Sequence, residues 1–245
     1  MTKKEISFEN GNHAVVVTVA CDTNPQTILK ALDLAPPNAL VIVLGGAKGL
    51  DDSLKTRLAE LFSDAIAPAA AELGALIVDG GTQSGVMAIM GEAVARCGRG
   101  CQLLGIAPAG KVTYPGAPSE AGIADGASLE PNHSHFVLVE SNEWGSETGK
   151  MLELARAFDV PIVVILVNGG AIATEEALQS VRNGWRLFVL EGSGRFADEL
   201  SAAVRDSQFA KSAEVSEIAR SGRVALFHVN DPAKKLRDAL RRLLG

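Results

Sequence analysis

The sequence predicts an open α/β fold built on a mostly parallel β-sheet. Three observations carry that prediction. Aliphatic runs of strand length alternate with helix-period segments along the whole chain. Glycine-rich turns at positions 45, 80, 145, 169 and 192 each follow such a run. The hydrophobic fraction is 47% with only 4% aromatics, the aliphatic balance of strands buried on both faces of a parallel sheet.

Taken in order, Met1 to Asn12 is polar and reads as a frayed end or a short edge element. His13 to Ala20 is a continuous β-branched run and forms the first strand. Thr23-Asn24-Pro25 starts a short helix, Gln26 to Leu34, which Ala35-Pro36-Pro37-Asn38 breaks. Ala39 to Leu44 is the second strand and runs into Gly45-Gly46-Ala47-Lys48-Gly49. Asp51, Asp52 and Ser53 cap a long helix with apolar Leu54, Leu58, Leu61 and Phe62. Pro68 bends or restarts that helix and Gly74 ends it. Ala75 to Val78 is a strand, and Asp79-Gly80-Gly81-Thr82-Gln83-Ser84-Gly85 turns it into a helix from Val86 to Val94. Gln102 to Pro108 is the fourth strand.

Lys111 to Asn132 shows no persistent element. A loop of about twenty residues is longer than packing normally needs, which suggests a lid or binding loop. His133 to Val139 is the fifth strand, followed by Glu140-Ser141-Asn142-Glu143-Trp144-Gly145 and a helix opened by Ser146 and Glu147 that runs to Phe158. Pro161 to Val167 is the sixth strand, ending in Asn168-Gly169-Gly170, with a helix from Thr174 to Arg182. Arg186 to Leu190 is the seventh, ending in Glu191-Gly192-Ser193-Gly194-Arg195. Helices over Phe196 to Val204 and about Ser212 to Arg220, a last strand Val224 to Val229, and a helix Ala233 to Leu244 opened by Asp231-Pro232 complete the chain. No shift in composition marks a second domain. Residues 1–245 read as one unit, with the motifs in about 39–204 and a C-terminal helix-strand-helix in 205–245.

Right-handed crossovers place all parallel strand ends on one edge. The glycine turns therefore gather where open α/β sheets bind ligands. Gly80, Gly81 and Gly85 let the backbone turn tightly and bring N–H groups to a ligand at a helix start, where the dipole favours phosphate. Read alone, this is equally an ordinary capped strand-to-helix turn. Gly192-Ser193-Gly194-Arg195 adds a hydroxyl and a guanidinium. Arg195 stands at a helix start, where a cation opposes the dipole, and a bound phosphate would remove that conflict. A solvated arginine is the plain alternative. Glu140, Glu143 and Glu147 surround Trp144; such carboxylates can hold ribose hydroxyls and the indole can stack on a base, although Glu147 alone reads as a first-turn helix carboxylate. His133 and His135 share one strand face, as hydrogen-bonded structural residues or as part of a cleft lining.

Several chemistries are excluded. The net charge is −6 and the pI about 5.3, against a nucleic-acid or anionic-membrane surface. The three cysteines lack disulfide or zinc spacing. No polypeptide leader is visible, and the longest apolar run, Pro161 to Val167, is too short for a bilayer, so a cytoplasmic protein is expected. No Walker-type phosphate loop, Gly-x-Gly-x-x-Gly fingerprint or Gly-x-Ser-x-Gly nucleophile elbow occurs.

Four stretches together carry a resemblance: Gly80 to Met87 with Gly91-Glu92-Ala93-Val94; Leu104 to Pro108; Pro131-Asn132-His133-Ser134-His135-Phe136-Val137-Leu138-Val139; and Glu191 to Asp198. In this order they resemble the cytosolic N-terminal region of melastatin-type TRP channels, within the LSDAT group of the SLOG superfamily, over about Leu40 to Leu200. The resemblance implies a Rossmann-like sheet with helices on both faces and a nucleotide-derived ligand such as ADP-ribose, an NAD-related compound or a nucleoside phosphate. It implies no required cofactor, and a homo-oligomer is compatible with it. It places Thr82 and Ser84 in the first phosphate turn and Arg195 in the last.

The ligand set expected from residues and resemblance together is Gly45, Gly46, Ala47, Lys48, Gly80, Gly81, Thr82, Ser84, Gly85, Pro108, His133, Glu143, Trp144, Gly145, Ser146, Gly169, Gly170, Gly192, Ser193, Gly194 and Arg195. Around Glu143–Glu147 the chain departs from the channel pattern. A runner-up function follows from the LOG proteins of the same superfamily, hydrolysis of the N-glycosidic bond of a nucleoside monophosphate. Glu143 or Glu147 would then stabilise the ribosyl cation. The chain lacks the Pro-Gly-Gly-x-Gly-Thr turn of those enzymes, so ligand binding is the first expectation.

Overall fold

The computed structural model of the protein describes residues 1–46, 48–98, 100–117, 123 and 125–245. Ala47, one of the expected ligand residues, lies outside the described residues.

Nine strands form one sheet. They are β1 (Thr2–Ser7), β2 (His13–Val19), β3 (Ala39–Gly45), β4 (Ala75–Asp79), β5 (Leu103–Pro108), β8 (His135–Val139), β9 (Ile162–Val167), β10 (Arg186–Glu191) and β11 (Val224–His228), with the short pair β6 (Val112–Thr113) and β7 (Ala127–Ser128) apart from them. The spatial order is β1-β2-β8-β5-β4-β3-β9-β10-β11. Only β1 runs antiparallel to its neighbour. The Rossmann-like α/β architecture is therefore present.

The chain leaves β3 in one direction, through β4 to β5, and later returns to the other side of β3 with β9. That reversal makes a topological switch point between the ends of β3 and β9. Alternate side chains divide the sheet into two cores. Leu40, Ile42 and Leu44 of β3 pack with α1 (Pro25–Leu32), α5 (Thr148–Ala157), α6 (Ala171–Arg182), α7 (Arg195–Arg205) and α8 (Ala213–Arg220). Ala39, Val41 and Val43 pack with α2 (Asp52–Leu61), α3 (Ala67–Leu73), α4 (Gly85–Arg96) and α9 (Ala233–Leu244). Helices following β3 and helices following β9 thus cover opposite faces, which opens a crevice between them. A third cluster, with Ile6, Phe8, Val112, Leu129 and Phe136, seats the long loop on β1, β2, β5 and β8.

Three sequence expectations are resolved or shifted. The edge-element reading of the polar start holds: it is a six-residue strand whose register runs Thr2↔Thr18 to Ser7↔His13. Its charges sit at a solvated sheet edge, so the hydrophobic pattern is weak. Gly170 caps α6, which begins one turn before Thr174. The long helix restarts beside Pro68: it passes through a π-helical turn, Phe62–Ile66, and Pro68 lies in the first turn of α3, where a missing N–H costs little.

Close backbone contact fixes the first glycine turn. Gly81 has φ +65°, and a Cβ there would stand 2.7 Å from Gly105 Cα. Conversely, a Cβ on Gly105 would stand 2.6 Å from Gly81 Cα and 2.7 Å from the Phe136 ring. Gly105→Ala is expected to destabilise the protein by on the order of 3 kcal/mol through overpacking. Urea unfolding measures this, and an unchanged midpoint would show that the turn is free to move.

Candidate functional site

The switch point brings three of the expected turns together around one side chain. Arg195 opens α7 with φ +48°, and Asn168, after β9, has φ +59°. Non-glycine residues in this region carry local strain, which a fold retains where the geometry is held from several sides. Here the clamp is visible. Asn168 N–H donates to Ser193 Oγ at 2.7 Å, its Nδ2 donates to Ser193 O at 2.9 Å, and Ala197 N–H donates to Asn168 O at 2.9 Å. Ser193 Oγ donates in turn to Leu190 O. Asp198 accepts from Gly192 N–H at 2.6 Å and closes the same turn.

Held this way, the Arg195 guanidinium lies across the crevice. A Cβ on Gly46 would be 3.3 Å from Arg195 Nη1, one on Gly49 3.4 Å from its Cδ, and one on Gly170 2.7 Å from its Nη2. Glycine at these positions is what admits the side chain. Arg195 is exposed, and among the described residues no hydrogen bond or ion pair engages its guanidinium. Asn168 Oδ1, fully buried, also has no donor. A cavity of about 420 Å³ adjoins the crevice, lined by Gly169, Gly170, Thr174, Arg195, Lys211 and Ser212. The N-terminus of α6 opens beside it with Gly170 as cap and no capping side chain. Lys211 is paired with Glu199, which shares the lining, so Arg195 and the free N–H groups of α6 are what make this an anion-accepting corner.

Other expected residues stand in different surroundings. Gly45 packs against Val86 at the start of α4, which links the β3 turn to the first glycine turn. Gly80 and Gly85 flank that turn, and Ser84 caps α4 with its hydroxyl 3.0 Å from that of Thr82. Thr82 is itself buried and bridges to Leu129. A cavity of about 560 Å³ lies over the start of α4, with Lys55, Gln83, Ser84, Gly85 and Arg96 in its walls. A larger cavity, about 680 Å³, is elsewhere, between the β1–β2 turn and the long loop, with Phe8, Tyr114, Leu129 and Pro131. Among the described residues its lining has no cation, so we place the candidate site at Arg195. Lys48 is exposed on the β3 turn, Pro108 is buried at the end of β5, and Ser193 and Gly194 belong to the clamp.

The acidic stretch works largely on the fold. Trp144 Nε1 donates to Asp125 O at 2.9 Å and pins the long loop, which Gly110 N–H also ties to Ser141 O. Ser146 Oγ donates to Glu143 O. Glu147 accepts from Gly145 N–H at 2.8 Å and is buried beside Glu176. Gly145 itself faces Ile172 of α6. Burial pushes the Glu176 carboxyl up to about 8, the Glu147 charge adds to that, and the Thr148 hydroxyl at 3.2 Å only partly offsets it.

His133 stands behind the first glycine turn rather than in the open crevice. Its Nε2 is 2.9 Å from Asp79 Oδ1 and its Nδ1 2.8 Å from Glu130 Oε2, with all three side chains buried. Burial alone would lower the imidazole pKa; the Asp79 and Glu130 carboxylates outweigh it and raise it to about 9. Gly81 N–H donates to Asp79 Oδ1 at 2.7 Å, and Glu130 N–H to Gly81 O at 2.9 Å. Glu130 fits only because Gly91 faces it; a Cβ there would lie 2.1 Å from the carboxylate.

Sequence reasoning missed Asn168 as the clamp, Lys211, and Glu176. Asn before Gly-Gly is a left-handed turn signal. Glu176 sits on the apolar stripe with Ala173, Ala177 and Ser180, a readable anomaly. Lys211 lies between α7 and α8 and had no signal.

A family model described as "SLOG in TRPM, prokaryote" matches residues 38–237. Among curated proteins, the chain is 30% identical to transient receptor potential cation channel subfamily M member 2 of Mus musculus over 224 residues, covering 76% of this chain and 15% of the relative. It is 31% identical to the subfamily M member-like 2 protein of Nematostella vectensis over 243 residues, 81% of this chain and 16% of the relative. A transient receptor potential channel of Caenorhabditis elegans matches at 30% over 242 residues, 81% and 12%. The chain thus spans only a small part of these relatives. Among the described residues no helix is long and apolar enough to cross a membrane.

Two variants test the buried charges. The His133 pKa lies above the ordinary value of about 6.5, so its stabilisation is complete below that pH and is lost as pH rises through about 9. His133→Gln is expected to cost about 3–5 kcal/mol at pH 7, because two carboxylates lose their cation, and to flatten the fall in stability between pH 6.5 and 9. Glu176 also has a raised pKa, so its burial costs stability as pH rises from about 4.5 to about 8. Glu176→Gln should gain on the order of 1–3 kcal/mol at pH 8 and less at pH 5. Thermal melts across pH measure both; parallel wild-type and variant profiles would contradict these assignments.

Proposed function

The chain belongs to the SLOG family of TRPM channels, in its prokaryotic branch, and from that membership we propose that its sheet-edge crevice binds a nucleotide-derived small molecule. The ligand class is ADP-ribose, an NAD-related compound or a nucleoside phosphate, and the role is that of a ligand sensor. One observation carries the reading. Arg195, without a protein partner among the described residues, lies over Gly46, Gly49 and Gly170 at the switch point. An exposed guanidinium held among glycine turns suits a phosphate, which it can engage through two parallel hydrogen bonds. The start of α6 extends the positive field into the adjoining cavity, where Lys211 is paired with Glu199. The relatives are channels by name; conduction is not carried over to this chain.

Hydrolysis of an N-glycosidic bond has less support. It relies on a carboxylate free to face the sugar: Glu147 spends one oxygen on Gly145 N–H in a buried position, which leaves the exposed Glu143 for that role. Binding without turnover is the reading adopted, because the chain lacks the Pro-Gly-Gly-x-Gly-Thr turn of those enzymes. Arg195→Ala should weaken ADP-ribose or AMP binding by about 1.5–3 kcal/mol, roughly 10- to 150-fold, in calorimetric titration. Unchanged affinity would remove Arg195 from the site. Incubation with AMP should leave the nucleotide intact, and stoichiometric release of adenine and ribose 5-phosphate would replace this reading with the hydrolase.

A further inference from the structure

The sheet has two outer strands, and their edges differ. On β1, Thr2, Lys3 and Glu5 are exposed and Lys4 half-exposed, the charged edge that discourages strand pairing. On β11 the sequence is Val224-Ala225-Leu226-Phe227-His228, with the first three half-buried and no charge, proline or glycine among them. Its inner edge is used. Leu187 N–H donates to Arg223 O, and Val229 N–H donates to Glu191 O. In a parallel ladder both groups of a residue point the same way and alternate residues point oppositely. Residues 223, 225, 227 and 229 therefore face β10, and Val224, Leu226 and His228 face outward.

The outward row is closed at both ends. His228 N–H donates to Asp231 Oδ2 at 3.0 Å, and His228 O accepts from Asp231 N–H at 2.8 Å. Gly222 O accepts from Arg186. The open groups are the N–H and C=O of Val224 and of Leu226, for which no bond is found among the described residues. They are symmetric about Ala225.

We propose that β11 pairs antiparallel with β11 of a second copy of this chain, about a two-fold axis through Ala225. Val224 of each copy then exchanges both hydrogen bonds with Leu226 of the other, and all four open groups are satisfied. A two-fold interface must be self-complementary, and this edge is. Its beginning is basic, with exposed Arg186, Arg220, Arg223 and Arg242, while at its end Glu191 and Asp231 are already paired with Arg205 and Lys235 of the same chain. Antiparallel pairing keeps the two basic beginnings at opposite ends of the ladder. Beside the strand, a shallow cavity of about 320 Å³ lined by Ala225, Phe227, Ala239 and Leu243 offers apolar surface to the partner, and Leu243 is 37% exposed. The pairing is independent of the ligand reading.

Sedimentation equilibrium of the full chain tests it, together with amide exchange at low and high protein concentration. The expected result is a concentration-dependent dimer of the 25.5 kDa chain, with the Val224 and Leu226 amides slowing by at least about tenfold as the dimer forms. Leu226→Pro removes an outward N–H without breaking a bond to β10, and Val224→Lys places a charge on the edge. Both should be monomeric with unchanged circular dichroism and melting. A wild-type chain that stays monomeric to about 1 mM overturns the proposal. So does a dimer that survives in either folded variant, or one whose Val224 and Leu226 amides exchange as fast as in the monomer. Should either variant unfold, exchange in the wild-type chain decides alone.

Discussion

A buried imidazolium between two carboxylates holds the functional edge of this protein in place. His133 joins Asp79, at the end of β4, to Glu130, at the return of the long loop. Replacing such a network with apolar residues can be neutral, but removing one member leaves a buried charge without its counter-charge. The first glycine turn then depends on it twice over, since Asp79 accepts from Gly81 N–H and Glu130 N–H reaches Gly81 O. The close approach of Gly81 to Gly105 and the room that Gly91 leaves for Glu130 are the steric conditions for the same arrangement. Three glycines far apart in sequence thus serve one electrostatic knot.

From this knot the edge divides into two kinds of turn. The turn at Gly80–Gly85 offers backbone N–H groups and hydroxyls, with no cation of its own. The turn at Gly192–Arg195 supplies positive charge and, through Ser193 and Asn168, the rigidity to aim it. Gly45 and Gly46 lie between them, one against Val86 and the other against Arg195. In a chain of net charge −6, a guanidinium kept clear of carboxylates is a local exception to the prevailing field. The neighbouring acids are engaged elsewhere: Asp198 by Gly192 N–H, Glu199 by Lys211, and Glu191 by Arg205, a pairing that is the main cause of its lowered pKa.

Much of the fold was legible because β3, β4, β5, β8, β9 and β10 are aliphatic runs buried on both faces, and each is followed by a turn signal. β1 was legible only as a frayed end or a short edge element, for the opposite reason: its inward residues are few and its outward ones charged. Arg195 could be found because Gly-Ser-Gly-Arg is local in sequence. The partners of His133 could not, since Asp79 lies 54 residues away and only the β4–β5–β8 neighbourhood brings them together. The same holds for the Trp144 N–H, whose bond to the Asp125 carbonyl joins two residues 19 positions apart.

The π-helical turn between α2 and α3 sets how the second half of the helix faces its core. A π turn accommodates one residue more than the α-helix around it, and each residue in an α-helix advances the face by about 100°. Here the extra residue is absorbed where Phe62, Ala65 and Ile66 are all buried, against α4 and α9. The buried alanines of α3 keep their orientation toward the same core as Leu58 and Leu61 of α2. Such a segment lets the helix hold one residue more by local unwinding, without turning its second half to solvent.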